Sequence, residues 1–251
     1  MEEFFPGFGQ QAYVGFQPPA EGTYTTIWRP VDFSPPTNAI VKFSVKMGIV
    51  QSTAGGDDEF RWAVYNRNGD RLFAINFETP TGEVSYETED LAYRSTGWKF
   101  PFDGPQDFEI WMDFARNSWT ARLNDIVLAN AQWITLTNAT ELSLGDVDAV
   151  WFINSTNGVG NNYMVFDDYR IVSENLKAIP AFLEPLRRTA EGFFQFTVFG
   201  QPGVPYAVEY TRDFQEWILH GEYQDEEGTF TFEDNLTGTD RYRFYRVREL
   251  L

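Results

Sequence analysis

Apolar and polar residues alternate along most of the chain, which is the pattern of half-buried β-strands. In residues 60–65, for example, Phe60, Trp62 and Val64 fall on one face and the residues between them on the other. No segment repeats its apolar residues with the 3.6-residue period of a long helix. The alternation predicts further strands at residues 41–47, 73–77, 108–114, 119–123, 150–153 and 164–172.

Turn residues divide these strands into two regions. Asn68-Gly69 predicts a tight hairpin turn, and Pro180 and Pro185 punctuate a short mixed segment that suits a linker at residues 176–184. Five further strands are predicted at residues 193–199, 205–211, 217–222, 229–233 and 242–247. We therefore predict an all-β protein, with a large β-sandwich at residues 1–175 and a small Ig-like β-sandwich at residues 185–251.

Composition narrows the classes of partner. The chain has 37 acidic and 19 basic residues and a net charge of −18, so its surface repels nucleic acid and anionic membranes. It has no cysteine, which excludes disulfides, thiolate metal sites and cysteine nucleophiles. No apolar run is long enough to insert into a membrane. Neutral polysaccharides, cations and other proteins remain as partners.

The large sandwich resembles the concanavalin A-like or laminin-G-like jelly rolls of bacterial carbohydrate-binding modules. The resemblance covers residues 10–173 and is carried by the hairpin at residues 108–123, with its Asn117-Ser118-Trp119 turn, and by residues 166–171, Phe-Asp-Asp-Tyr-Arg-Ile. It implies a jelly-roll fold and carbohydrate binding.

The C-terminal region resembles a small β-sandwich module found at the C-termini of extracellular proteins from Verrucomicrobia-type bacteria. The residues that carry this resemblance are Gly200-Gln201-Pro202-Gly203, those at 206–213, Trp217, Phe232-Glu233-Asp234 and those at 243–247. The resemblance implies secretion and an accessory role, and no reaction.

A catalytic motif is not recognisable in the sequence. Retaining glycosidases with a concanavalin A-like fold carry a Glu-x-Asp-x-x-Glu strand, which sets two carboxylates about 5–5.5 Å apart. The nearest segment, at residues 109–113, has a different spacing and lacks the third carboxylate. His220 is the only histidine, which excludes a histidine-based metal centre. We predict that the protein is not an enzyme, with an unrecognised carboxylate pair as the alternative.

Three acidic segments are candidate calcium sites, and no organic cofactor is expected. The resemblance to calcium-dependent jelly rolls would place Asp167 or Asp168 on a structural Ca²⁺ ion, which prefers oxygen ligands. Asp57 and Asp58 form the second candidate, and Gly145-Asp146-Val147-Asp148 forms the third. For Asp167 and Asp168 the alternative is that one aspartate bonds loop amides while the other is solvated, and for the other two segments it is a solvated turn.

Aromatic residues that alternate out of phase with the core are candidates for sugar binding. If Phe108 and Ile110 face inward, Trp111 faces the opposite side, where its ring can stack on a pyranose. The alternative is a structural role, in which Trp111 packs under a loop or against the second domain. The candidate contacts are Trp111, Tyr65 and Trp98, with Glu109, Asp113 and Arg61 as hydrogen-bonding neighbours.

The sequence thus predicts a non-catalytic, extracellular carbohydrate-binding or cell-surface recognition protein. A structural, self-assembling surface protein is the first alternative, because strand edges or the aromatic segment at residues 4–9 could join subunits. A glycoside-active enzyme is the second. No signal peptide is visible, and Met1-Glu2-Glu3 is expected to be an initiator placed before a mature N-terminus.

Overall fold

The prediction of an all-β fold is confirmed. The computed structural model describes residues 6–7, 9–15, 19–20, 23–29, 31, 40–53, 58–79, 81–153, 160–174, 178–184, 187–234 and 242–250, and its regular elements there are all β-strands. Within these ranges no helix is long and apolar enough to cross a membrane. Asp57 and most of the aromatic segment at residues 4–9 lie outside the described residues, so the interpretations placed on them stay predictions.

The N-terminal region forms a large sandwich of two six-stranded antiparallel sheets. Its strands are β1 (Ala12–Val14), β2 (Tyr24–Ile27), β3 (Ile40–Val50), β4 (Asp58–Tyr65), β5 (Arg71–Glu78), β6 (Glu83–Glu87), β7 (Tyr93–Lys99), β8 (Gln106–Asp113), β9 (Ser118–Leu123), β10 (Ile126–Trp133), β11 (Asp146–Ile153) and β12 (Tyr163–Glu174). Sheet I has the order β1-β12-β3-β8-β9-β10, and sheet II has the order β2-β11-β4-β5-β6-β7. Several sequence neighbours lie in different sheets, which is consistent with the predicted jelly roll.

Aromatic side chains fill the space between sheets I and II. Phe60, Trp62 and Val64 are fully buried there, as their alternation predicts. The rings of Phe73 and Trp119, from opposite sheets, stack with centroids 4.3 Å apart and planes 2° apart. Close-packed aromatic pairs of this kind stabilise beyond their area of burial. The high aromatic content of the chain is therefore largely a requirement of this core.

The C-terminal region forms a second, smaller sandwich. Its strands are β13 (Phe182–Leu183), β14 (Arg187–Arg188), β15 (Phe194–Phe199), β16 (Pro205–Thr211), β17 (Ile218–Gln224), β18 (Thr229–Asp234) and β19 (Phe244–Glu249). β15 pairs with β13, β14 and β18 in sheet III, and β16 pairs with β17 and β19 in sheet IV. Phe196, Val198, Val208 and Phe232 form the core between these sheets. β13 falls within residues 176–184, the predicted linker.

The small sandwich is seated on the outer face of sheet I, the face directed away from the aromatic core. Trp111 and Val127 of sheet I pack with Ile179 and Phe182, which come from the segment that joins the two sandwiches. Polar contacts add to this interface. The Ser118 hydroxyl donates to Gln201 Oε1 at 3.2 Å, and Asn130 Nδ2 donates to the Gly200 carbonyl at 2.9 Å.

Two tryptophans offer a matched test of this core. Trp119→Ala empties a site that is 0% exposed, and we expect it to lower the free energy of unfolding by about 3–5 kcal/mol. Trp133→Ala removes a side chain that is 60% exposed and should change the free energy of unfolding by no more than about 0.5 kcal/mol. Urea unfolding of both variants measures the difference. Equal losses would contradict the assignment of Trp119 to the core.

Candidate functional site

The predicted ligand contacts lie on two different faces of the large sandwich. Trp111 and Glu109 belong to β8 on the outer face of sheet I, whereas Tyr65 and Arg61 belong to β4 on the outer face of sheet II. The aromatic core separates these faces. The structure therefore does not bring Trp111 and Tyr65 together in one binding site.

Trp111 takes part in the contact between the two sandwiches. It is 8% exposed, and its ring lies 6.1 Å from that of Phe182. Its indole N–H donates to Glu109 Oε2 at 3.1 Å, and Lys42 Nζ lies 4.7 Å from its ring centroid. This placement matches the packing alternative, since neither an open ring face nor a free indole N–H is left for a sugar.

The carboxylates beside Trp111 are engaged within the protein. Glu109 forms ion pairs with Lys42 at 2.5 Å and with Arg122 at 3.4 Å. Asp113 is fully buried, and its Oδ1 accepts hydrogen bonds from the backbone N–H groups of Ala115 and Arg116. Asp113 thus holds the hairpin turn between β8 and β9.

Arg61 and Trp98 also have partners in the protein. Arg61 pairs with Glu59, and its guanidinium lies 4.5 Å above the ring of Phe152. Burial raises the pKa of Glu59, against the opposing effect of the Arg61 charge. Trp98 is half-buried and packs against the core of the large sandwich. Of the predicted contacts, Glu109 lines a polar cavity of about 470 Å³ on sheet I, together with Lys46, Arg122 and Asp168. Tyr65 borders a groove on sheet II that also has exposed aromatic side chains, described below.

Asp167 and Asp168 sit at a β-bulge of β12. The pairing with β3 shifts register between Asp167 and Arg170, and Asp168 has a φ of 54°. Asp167 Oδ1 accepts the Asp168 N–H at 2.7 Å, and Asp168 pairs with Arg170 at 3.1 Å. These contacts hold the bulge in shape, and a calcium ion at Asp167 and Asp168 stays a prediction.

Asp58, from the second calcium candidate, is fully buried at the start of β4. Its carboxylate accepts hydrogen bonds from Trp151 Nε1 at 3.1 Å and from the Gly160 N–H at 3.4 Å. In the part of the chain that the structure describes, no group of three or more His, Cys, Asp or Glu side chains is placed to hold a metal ion.

The third acidic segment forms the centre of a groove at the β2 end of sheet II. Two aromatic side chains stand over it, Tyr24 with 62% and Trp28 with 57% of its surface exposed. Tyr65 is half-buried beside them. The groove has a volume of about 180 Å³ and is lined by Tyr24, Thr26, Trp28, Tyr65, Gly69, Asp146 and Asp148.

Strand pairing explains why these side chains meet. β11 runs antiparallel to β4, with Asp146 opposite Tyr65 and Asp148 opposite Ala63. Val147 lies between the two aspartates and points into the aromatic core, so Asp146 and Asp148 both point outward. The hydroxyl of Thr26 on β2, the other neighbour of β11, donates to Asp148 Oδ2 at 2.7 Å.

The two carboxylates interact with each other. Asp148 is 7% exposed, and the Oδ1 atoms of Asp146 and Asp148 are buried with no donor from another residue, so a proton on one carboxyl group is the donor that the other can accept. Burial and, to a smaller extent, the charge and hydrogen bond of Asp146 raise the pKa of Asp148 to about 7, against the opposing effect of Thr26. Burial also raises the pKa of Asp146. Near neutral pH the pair can therefore hold a proton between them, or accept hydrogen bonds from a ligand.

Small and polar side chains are buried under the outer surface of sheet II, next to the groove. Ala63 and Ala74 are 1% and 0% exposed. Asn76, which is 1% exposed, donates to Ser85 at 3.4 Å and to Glu87 at 3.3 Å, while its Oδ1 is buried without a partner. None of these three residues lines the groove.

Sequence reasoning missed the aromatic part of this groove. Residues 24–28 were not predicted as a strand, and Asp146 and Asp148 were considered only as calcium ligands or turn residues. The sequence contains a signal for part of the groove. The alternation of residues 150–153 continues back through Asp148 and Asp146, which places both aspartates on the outward face of one strand.

Comparison with known proteins gives similarities of shape at low sequence identity. No family model and no curated protein matches the chain. A sialidase matches with a TM-score of 0.45 and 9% identity, over 61% of this chain and 14% of the sialidase. The carbohydrate-binding module CBM66 from Bacillus subtilis matches with a TM-score of 0.35 and 9% identity, over 60% of this chain and 95% of the module. Sheep galectin-11 in complex with glycerol matches with a TM-score of 0.33 and 14% identity, over 62% of this chain and 100% of the galectin. The function proposed below rests on the groove itself.

The raised pKa of Asp148 predicts a pH-dependent stability. The folded protein keeps this proton up to a pH of about 7, whereas the unfolded chain loses it near the ordinary value of 3.8. The unfolded state binds fewer protons over this window, so the free energy of unfolding should fall as the pH rises from about 4 to about 7 and then level off. Asp148→Asn keeps an oxygen for Thr26 and should flatten this slope and stabilise the protein at about pH 8.

Urea unfolding at about pH 5, 6.5 and 8 measures the effect. Asp168→Asn is the matched control, because Asp168 is exposed, and its slope should equal that of the wild type. An unchanged slope in Asp148→Asn would show that Asp148 does not carry the buried proton.

Proposed function

We propose that the protein is a non-catalytic extracellular carbohydrate-binding protein that holds a neutral glycan in the groove of sheet II. The observation that carries the proposal is a groove in which the exposed aromatic rings of Tyr24 and Trp28 stand beside the carboxylates of Asp146 and Asp148. The extracellular setting is supported by the resemblance of the C-terminal residues to modules of extracellular proteins.

A sugar residue matches both parts of this groove. Its ring has an apolar C–H face that can stack on the exposed side chains of Tyr24 or Trp28. Its hydroxyl groups are donors, and the carboxylates of Asp146 and Asp148, which line the groove, are acceptors. Hydrogen bonds to charged groups contribute about 1.5–3 kcal/mol each, so a hydroxyl bonded to this pair would add to the stacking.

The charge of the site selects among glycans. The two carboxylates lie within a chain of net charge −18, so an acidic polysaccharide would be repelled. A neutral polysaccharide meets no such repulsion.

Substitution of the groove aromatics tests this function. In native gels that contain a soluble β-glucan, xylan or mannan, the wild type should be retarded by at least one polysaccharide. Trp28→Ala and Tyr24→Ala should each weaken this retention about tenfold, the equivalent of about 1.4 kcal/mol, because a stacking surface is lost.

Tyr242→Ala is the matched control. Tyr242 is 59% exposed but lies just before β19, in the small sandwich, so its loss should leave the retention unchanged. The proposal fails if no polysaccharide retards the wild type, or if Tyr242→Ala weakens binding as much as Trp28→Ala.

A glycoside-active enzyme is the second candidate, favoured by one observation. Asp148, with its pKa of about 7, could serve as a general acid next to Asp146 in an open groove. Prolonged incubation with each retained polysaccharide, followed by an assay for new reducing ends, separates the two functions. We expect no release. Release by the wild type that disappears in Asp148→Asn would establish the enzyme instead.

A further inference from the structure

A second exposed tryptophan stands at the opposite side of the large sandwich. Trp133 ends β10, the last strand of sheet I, and is 60% exposed. β10 approaches β6 and β7 of sheet II, whereas the groove at Asp146 lies beside β2, at the other edge of that sheet. Trp133 and the groove therefore share no residues.

A β-bulge turns Trp133 outward. Ala129 pairs with Ala121 and Gln132 pairs with Trp119, so Asn130 and Ala131 of β10 lie opposite Thr120 alone and β10 has one additional residue. Ala131, within this bulge, has a φ of 47°, a backbone conformation that is unfavourable for residues other than glycine. Bulges of this kind re-aim side chains and often lie next to functional sites.

The bulge also sets the neighbours of Trp133. Trp133 pairs with Ser118, whose side chain points away from the aromatic core towards Gln201 of the small sandwich. Ser118 and Gln201 are hydrogen-bonded at 3.2 Å and are 7% and 2% exposed. Strained backbone on one side and a buried polar contact on the other thus hold the exposed indole beside the junction of the two sandwiches.

The indole of Trp133 separates two cavities. The cavity on the side of the small sandwich has a volume of about 340 Å³ and is lined by Arg116, Ser118, Ala131, Gln201 and Pro202 as well as Trp133. The second cavity has a volume of about 300 Å³ and is lined by Asn117, Thr135, Leu136, Thr137 and Asn138 together with Trp133. Each is large enough for one sugar residue.

The chemistry of both cavities suits an uncharged polyhydroxylated ligand. Their polar linings are amides and hydroxyls, which can donate or accept hydrogen bonds. The one charged side chain among these residues, Arg116, pairs with Asp113 at 2.9 Å. An anionic ligand would meet no unpaired cation among them, whereas a pyranose could stack on the indole and bond the exposed side chains of Thr137 and Asn138.

We propose that Trp133 and the two cavities beside it form a second glycan-binding site, which takes adjacent residues of a neutral polysaccharide. The site has the same ligand class as the groove of sheet II but none of its side chains. Two sites at opposite edges let one chain bind a long polysaccharide at two points, or bridge two polysaccharides. Such bivalent binding makes retention on a polymer stronger than either site alone would give.

The stoichiometry of oligosaccharide binding tests this site. Calorimetric titration of the wild type with cello-, xylo- and mannohexaose should give two sites per chain for at least one of them. Trp133→Ala should reduce the number to one, Trp28→Ala should weaken one of the two sites about tenfold, and the double variant should keep only that weakened site. Trp133→Phe keeps an aromatic ring and should restore part of the lost affinity.

The outcomes separate this site from the groove of sheet II. If Trp28→Ala abolishes all binding and Trp133→Ala changes nothing, the second site is refuted and the proposed function stands. If Trp133→Ala abolishes all binding and Trp28→Ala changes nothing, the site at Trp133 stands and the groove of sheet II fails. Binding of none of the three hexaoses by the wild type overturns the second site.

A protein partner at Trp133 would give a different experimental result from a glycan. If Trp133 were covered by a second copy of the chain, Trp133→Ala would convert a dimer to a monomer in sedimentation and leave glycan binding unchanged. That result also overturns the proposal. Urea unfolding of Trp133→Ala shows in parallel that a loss of binding does not come from unfolding.

Discussion

The aromatic layer between sheets I and II is the constraint on which the rest of the molecule depends. Once Phe73 stacks on Trp119 and Trp62 is buried among its neighbours, the phase of every strand in the large sandwich is fixed. A shift of one residue would move a whole row of rings into solvent. The same layer therefore decides which side chains are directed outward, and so which can meet a ligand.

The two outer faces have different roles. On sheet I, Trp111 and Val127 make a small apolar patch that is covered by Phe182 and Ile179, so this face holds the second sandwich. On sheet II, the corresponding positions carry polar, aromatic and small side chains, among them Tyr65 and the aspartates of β11. The apolar patch of sheet I is thus buried against the small sandwich, whereas the side chains that line the groove of sheet II stay on the surface.

Much of the fold could be predicted from the sequence, because alternation reports directly on the phase of a strand. The prediction that Phe60, Trp62 and Val64 share a buried face is an example, and so is the turn at Asn68-Gly69. In the large sandwich the strands β1, β2, β6, β7 and β10 were not predicted. Their own patterns are weak, and their positions depend on pairing with longer strands elsewhere in the chain.

The candidate site could be predicted only in part, for a related reason. Alternation places Trp111 and Tyr65 outside the core but does not say which outer face each occupies, or what covers it. Phe182, which covers Trp111, is 71 residues further along the chain, and no local pattern connects the two. Tyr65 was found because it lies in a strong strand, whereas Tyr24 and Trp28 lie in a weak one.

Five described side chains have a buried polar atom without a hydrogen-bond partner, namely Asn76, Arg122, Asp146, Asp148 and Asn162. Three of them lie on the outer face of sheet II, whereas Arg122 belongs to sheet I and Asn162 comes just before β12. Asn76 is 1% exposed, so of these three only the two aspartates line the groove. Two carboxylates that face each other cost free energy that other side chains would avoid. Under the proposed function a glycan hydroxyl bonds to this pair, and the aromatic rings beside it add a stacking surface that a metal ion would not use.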